Sequence, residues 1–279
     1  MERYLNLPIS GSAHGGEIDF LIGLVHWVMA ILFVVWGVYF VLALVRFRAG
    51  RQPRARYAGA KGLFSTYGEV GVVLVEVLLL IGFAVPMWAR RVAALSPAER
   101  ARAVEVRVVA EQFAWNFHYP GRDGRFGRVD PKLVSAGTNP LGLDKNDPAA
   151  ADDVTTINQL HLPVGRPAFL RLSSKDVIHS FFLPTMRVKQ DAVPGMEIPV
   201  HFTPTMVTPP EGRLPACAPK MDCWEIACAQ LCGLTHYRMK GYFTVHDEAG
   251  FQAWLDQNAP QPAAPPAPAA PPAAAPAAP

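Results

Sequence analysis

Two thiols, an imidazole and a thioether fall within twelve residues of this 279-residue chain, in Cys228-Ala229-Gln230-Leu231-Cys232-Gly233-Leu234-Thr235-His236-Tyr237-Arg238-Met239. Thiolate and thioether are soft ligands, and beside imidazole they favour copper. Zinc would take the cysteines and the histidine but has little use for Met239. A disulfide between Cys228 and Cys232 is the remaining alternative. Spacings of four could place Cys228, Cys232 and His236 on one helical face. Gly233 and the β-rich surroundings favour a loop between strands instead. A second imidazole then has to come from another strand. His179, in Lys175-Asp176-Val177-Ile178-His179-Ser180-Phe181, is the best candidate, set among β-formers and just ahead of Pro184.

The pattern C-x3-C-G-x2-H-x2-M, with D-V-x-H-S upstream, resembles the dinuclear copper A domain of cytochrome c oxidase subunit II. The segment Asp191-Ala192-Val193-Pro194-Gly195 also resembles its counterpart there, and the likeness runs over roughly residues 15–255. The resemblance implies two membrane helices followed by an outward-facing cupredoxin-like Greek-key β-domain. It implies that Cys228 and Cys232 bridge two coppers, with His179 and His236 as terminal imidazoles, Met239 as a weak thioether ligand and Gln230 as a backbone-carbonyl ligand. Such a site shares one electron hole between two metals and has no open position for a substrate, so it suits electron transfer. The implied function is subunit II of a haem–copper cytochrome c oxidase. It would accept electrons from cytochrome c and pass them through His236 to haem in subunit I. Oxygen reduction to water and coupled proton translocation would occur in subunit I, so this chain is an oxidoreductase subunit without the oxygen-reducing site.

Several positions depart from the family pattern. Gln230 stands where a glutamate is common, and that glutamate helps hold a magnesium ion at the contact with subunit I. An amide is a weaker ligand for a hard cation than a carboxylate, so Gln230 weakens the implied magnesium site, whereas a backbone ligand to copper needs no particular side chain. In Gln112-Phe113-Ala114-Trp115-Asn116-Phe117-His118-Tyr119, Phe113 aligns with the tryptophan through which electrons arrive in many members; Phe113 and Trp115 are the candidates here. Glu69 resembles the glutamate at the cytoplasmic mouth of a proton channel, without the W-T-x-x-P that usually follows. Glu76 lies deeper and is expected to face subunit I rather than lipid.

These residues need a scaffold and an anchor. Hydrophobic residues make up 51% of the chain and charged residues 18%, which excludes a wholly disordered or collagen-like protein. Phe20–Val45 is a run of 26 residues without Asp, Glu, Lys or Arg, and Val70–Ala89 a run of 20 carrying only Glu76. At ~1.5 Å per residue these reach about 39 and 30 Å, enough to cross a hydrocarbon core of ~30 Å. Expected spans are 20–46 and 69–91, after an external segment 1–19 and around a basic loop 47–68. The first run is too long for a signal peptide, and Glu17 and Asp19 precede it where basic residues would be needed.

The loop holds Arg46, Arg48, Arg51, Arg54, Arg56 and Lys61 with no acid before Glu69, whereas Arg3 at the N-terminal flank faces Glu2, Glu17 and Asp19. The positive-inside rule puts the loop in the cytoplasm and both termini and the head outside, against Arg90, Arg91, Arg100 and Arg102. A bacterial-type inner membrane is the expected location. Residues 104–258 read as strands: Val104, Val106 and Val108 alternate with Glu105, Arg107 and Val109, and Val154–Leu162, Ala168–Leu172, Ile198–Phe202 and Tyr242–Val245 follow between turn signals. Residues 139–153 read as a surface insertion. Residues 259–279 are 11 Ala, 9 Pro and one Gln, an extended or disordered tail.

Expected partners are oxidase subunits I and III, membrane lipid and a cytochrome c that is soluble, tethered or part of a larger assembly. The net charge of +3 has no basic face suited to nucleic acid. Asp123, Asp152, Asp153, Asp176, Glu211 and Asp222 are candidates for an acidic docking patch. Cys217 and Cys223 could close a disulfide loop or remain free thiols. His161, His201 and His246 match no motif. A quinol oxidase subunit would lack the copper ligands, a nitrous oxide reductase would need a large further domain, and a copper carrier would show a more open site.

Overall fold

The computed structural model describes residues 7–52, 54, 57, 62–135, 137–208 and 224–260. Cys217, Cys223, Glu211, Asp222, Arg56, Lys61 and nearly all of the Ala/Pro-rich tail lie outside the described residues.

The two apolar runs form two long helices. The first, α1, spans Gly15–Phe47, beginning five residues before the uncharged run. The second, α2, is continuous through Leu63–Val77, a π-helical stretch Leu78–Ala84, and Val85–Val92. The π-helical stretch ends beside Pro86, which has no N–H to donate to the preceding turn. Both helices are long and apolar enough to cross a membrane, and their apolar windows are wholly unburied within the chain. An α-helix satisfies its own backbone groups, which is what lets such a segment sit in lipid.

A short helix, α3 (Pro97–Arg102), leads into the head. Its start is fixed by Ser96, whose hydroxyl accepts from the Glu99 N–H while the Glu99 carboxylate accepts from the Ser96 N–H. The head contains β1 (Val104–Glu111), β2 (Ala114–Tyr119), β3 (Val154–Ile157), β4 (Gln159–Pro163), β5 (Ala168–Ser174), β6 (His179–Leu183), β7 (Val188–Ala192), β8 (Ile198–Phe202), β9 (Glu225–Cys228) and β10 (Lys240–His246). They form two five-stranded sheets, ordered β3-β2-β1-β5-β8 and β4-β10-β9-β6-β7. Within them β1 pairs with β5, and β4 with β10, in parallel, and the remaining pairs are antiparallel.

The alternation in β1 is as the sequence suggests: Val104, Val106, Val108 and Ala110 point inward. They meet Leu170 and Leu172 of β5, Phe181 and Leu183 of β6, Ile226 of β9 and Phe243 and Val245 of β10 in one buried core. Each such side chain contributes roughly 1.5–3 kcal/mol by leaving water.

Three expectations need correction. Val154–Leu162 is not one strand: Asn158 adopts a left-handed conformation (φ 58°) and hands the chain from one sheet to the other. The Asn158 side chain accepts from the Trp115 N–H at 2.8 Å, which fixes that bend. Secondly, the head ends in a helix, α4 (Glu248–Asn258), capped by Asp247 accepting from the Gly250 N–H. Thirdly, Asp153 closes the supposed surface insertion but is buried. It accepts from the N–H groups of Gly121 and Gly127 and contacts His118 Nε2 at 2.6 Å. It therefore cannot serve a docking patch.

Candidate metal centre

The site is built where β6, β9 and the connection from β9 to β10 meet. His179 opens β6 and Cys228 ends β9, and the register Phe181↔Cys228 brings these strand ends together. The connection leaves β9 at Ala229, whose N–H donates to the Ser180 carbonyl, and returns through a short turn at His236–Arg238. The Cys228 N–H donates to the Met239 carbonyl across the base of the loop at 3.2 Å. Cys232 and Met239 thereby point into the same space as Cys228.

The donor atoms converge. Cys228 Sγ lies 3.8 Å from Cys232 Sγ and 3.9 Å from His179 Nδ1. Cys232 Sγ is 3.5 Å from His236 Nδ1 and 3.8 Å from Met239 Sδ. The Gln230 carbonyl oxygen is 3.2 Å from Cys228 Sγ, while the Gln230 side chain is exposed. Both thiols are free, which removes the disulfide alternative. The ligand atoms of His179, Cys228 and Cys232 all lie within 4.8 Å of one another, the spacing of groups that can share a metal ion. Two sulfurs of the thiol type, imidazole nitrogens, a thioether and a carbonyl make a donor set that suits copper and leaves zinc with a superfluous Met239.

Outer contacts hold the donors in place. His179 Nε2 is 2.9 Å from Asp176 Oδ1, which leaves Nδ1 facing the sulfurs. Asp176 is held in turn by the Gln112 N–H at 2.7 Å, and the Gln112 amide donates to the Cys232 carbonyl at 2.5 Å. Gln112 thus ties the β1–β2 turn to both halves of the site. Neither its role nor that of Asp176 follows from ligand spacing. The available signal was the carboxylate three residues before His179.

The local electrostatics divide the two thiols. Burial pushes the Cys228 thiol up, but the His179 imidazole and the backbone of Ser180 and Gln230 outweigh it and bring it down to about 6. Burial and the neighbouring Cys228 thiolate push Cys232 up to about 11. Cys228 is thus the more acidic of the two thiols, and a bound cation displaces the protons that remain.

Gly233 has φ 136°, and a Cβ there would come within 2.7 Å of the Gln112 amide and 3.1 Å of the Phe113 ring. A bare backbone is therefore required where the loop crosses Phe113. Phe113 is half-buried against the core at this rim. Trp115 is fully buried and meets His179 edge-on at a centroid distance of 6.2 Å. Of the two aromatic candidates, only Phe113 reaches the surface. Glu69 is remote: it sits in the second turn of α2, accepting from the Ser65 hydroxyl at 3.3 Å, near the end of α2 opposite to the head. The acidic candidates do not gather either. Asp176 lies at one end of β1, whereas Asp152, which accepts from the Arg122 and Asp123 N–H groups, lies by α4 at the other.

Residues 104–207 match the family described as cytochrome c oxidase subunit II, periplasmic domain. The chain is 33% identical over 244 residues to the alternative cytochrome c oxidase subunit 2 of Bradyrhizobium diazoefficiens, covering 87% of this chain and 80% of that relative. The chain belongs to the cytochrome c oxidase subunit II family. Another member, cytochrome c oxidase subunit 2 of Cereibacter sphaeroides, is 24% identical over 257 residues, with 84% of this chain and 75% of that one aligned. A solved periplasmic domain of subunit II from Bradyrhizobium japonicum superposes with a TM-score of 0.35 at 19% identity, covering 56% of this chain and 92% of that one. In this subunit II the His179–Cys228–Cys232 group fits the copper site of the family, and the two apolar helices fit a membrane-anchored oxidase subunit.

Proposed function

We propose that the head binds a dinuclear copper A centre and relays single electrons from cytochrome c to haem in subunit I of a haem–copper oxidase that reduces oxygen and translocates protons. The ligands are Cys228, Cys232, His179, His236, Met239 and the Gln230 carbonyl. The observation that carries this reading is the convergence of those donors, with neighbouring ligand atoms between 3.2 and 3.9 Å apart. When bound, the copper pair supplies one-electron storage.

The chain's own residues keep that chemistry economical. Asp176 fixes the His179 ring, Gln112 ties its turn to Asp176 and Cys232, and the β6–β9 pairing holds the strand ends. A donor set held this firmly reorganises little when its charge changes. Phe113 offers an apolar rim where an electron donor can dock, and His236, on the outer turn of the loop, is the exit towards subunit I. At position 230 this chain would offer a magnesium ion at the subunit I contact a neutral amide, a weaker ligand than a carboxylate. Glu69, at the other end of α2, stands where protons would enter subunit I. The head and both termini lie on the outer side of a bacterial-type inner membrane, and subunit III completes the assembly.

Copper stoichiometry and electron paramagnetic resonance on the full chain, purified in detergent and loaded with copper, test this. Two coppers per chain sharing one unpaired electron are expected. One isolated copper, zinc or no metal overturns the proposal.

A further inference from the structure

We infer that Asp19 and Arg187 form a clasp that fixes the metal-binding head on its membrane helices, making Arg187 a positioning residue for electron delivery out of the head. Asp19 is in the second turn of α1 and Arg187 in the turn between β6 and β7, 168 residues apart in sequence. Arg187 Nε donates to Asp19 Oδ1 at 2.6 Å and Nη2 to Oδ2 at 2.9 Å, a two-pronged pairing. Its other hydrogen bonds go to the Pro184 and Pro8 carbonyls, both at 2.7 Å. The side chains are only 7% and 10% exposed, so water barely screens this pair. Arg187 has φ 54°, a left-handed conformation unusual for a residue other than glycine, and there its side chain reaches back to the helix.

A strap ahead of α1 extends the clasp. The Gly11 N–H donates to the Thr185 carbonyl, the Thr205 N–H to the Gly11 carbonyl and the Ala13 N–H to the Thr203 carbonyl. The Ser12 hydroxyl donates to the Met186 carbonyl at 2.8 Å. A Cβ on Gly11 would come within 2.7 Å of the Met186 side chain, so the strap is seated closely. The strap therefore grips the segment 184–187, which directly follows β6, the strand that opens with His179. The strap and clasp thus hold the end of β6 opposite to His179, which lies five residues back along the strand from Pro184. Electron transfer falls steeply with distance, and a head free to rock on its helices would spread that distance.

The inference rests on the proposed electron-transfer role, and its test separates the two. Asp19→Asn, Arg187→Met and Arg187→Lys are made in the full chain within the assembled oxidase. Expected are an unchanged copper stoichiometry and resonance spectrum, an unchanged rate of copper reduction by cytochrome c, and a several-fold slower transfer from copper to haem. Arg187→Lys should fall between, because it keeps the charge and loses the fork. Hydrogen exchange on the detergent-solubilised full chain supplies a second readout that does not require assembly. The amides of Gly11, Ala13 and Thr205 should lose protection in Asp19→Asn and Arg187→Met while those of β1 and β5 keep theirs. Unchanged copper-to-haem transfer, an altered copper spectrum in the variants, or strap amides protected as in the parent chain would each overturn the clasp. Absence of a copper pair in the parent chain would instead sink the functional proposal, leaving the exchange experiment to decide the clasp.

Discussion

At the scale of single residues, the site separates groups that supply donor atoms from groups that aim them. Gln230 shows the distinction: its carbonyl faces Cys228 Sγ, but its side chain is exposed. Gln230→Glu should therefore leave the copper absorption and resonance spectra nearly unchanged, and loss of copper would show that the side chain contributes. Phe113 is the apolar rim residue, lying beside Gly233 and half-buried. Phe113→Ala should slow electron arrival from cytochrome c more than transfer onward to haem, a split that stopped-flow kinetics can resolve. Equal slowing of both steps would assign Phe113 to packing. The proposed ligands were legible in the sequence because their spacing is local, twelve residues for five of them and one strand for His179. Gln112 was not legible as a support, since a hydrogen bond from the β1–β2 turn to a loop 120 residues away leaves no local pattern, whereas Asp176 left one, a carboxylate three residues before His179.

At the scale of elements, the strand alternation of β1 follows directly from its sequence, because one inward and one outward face impose a period of two. The break at Asn158 was hidden inside a continuous β-rich stretch, and α4 was hidden because its apolar residues face the head rather than a regular stripe of partners. Phe251 is buried, and Trp254 stacks on His161 at 4.2 Å between ring centroids. His161 Nδ1 lies 2.8 Å from His246 Nε2, so the two rings share one proton between them. Burial, and the neighbouring His246, lower His161 to about 4 from an ordinary 6.5, and burial also lowers His246 despite Asp247 beside it. The unfolded chain binds these protons more readily than the folded one, so stability falls as pH drops from 6.5 towards 4 and levels off below. Thermal melting of the full chain across that window should show a falling midpoint, and His161→Phe should flatten part of the dependence, leaving the share of His14, which burial and Arg91 also lower to about 4. The pair formed by His118 and Asp153, 1% and 0% exposed, staples the long β2–β3 connection to the sheet. Asp153→Ala strands a buried imidazole and two backbone N–H groups and should cost on the order of 3 kcal/mol, read as a lowered melting midpoint.

At the scale of the whole molecule, two contacts decide how the chain is mounted. The clasp is one; an Asp at 19 and an Arg at 187 carry no joint signal in sequence, whereas the membrane helices were plain from composition. The other contact is still to be made by a partner. Glu76 lies in the apolar window of α2, of which nothing is buried within the chain, and about midway between its ends at Leu63 and Val92. It follows Glu69 by seven residues, close to two turns of ~3.6 residues, so both carboxylates share one face of the helix. A carboxylate left in hydrocarbon costs roughly 2.5–3.5 kcal/mol, and a membrane-embedded partner that offers a hydrogen-bonding group removes much of that cost. This face should therefore pack against subunit I. Glu76→Gln keeps a polar group there and should leave recovery of the assembled oxidase unchanged. Glu76→Leu suits lipid better but strands the partner's polar group, and should lower the amount of this chain that co-purifies with subunit I. Full recovery of the leucine variant would mean that the face looks towards lipid, because only there does an apolar side chain lose nothing.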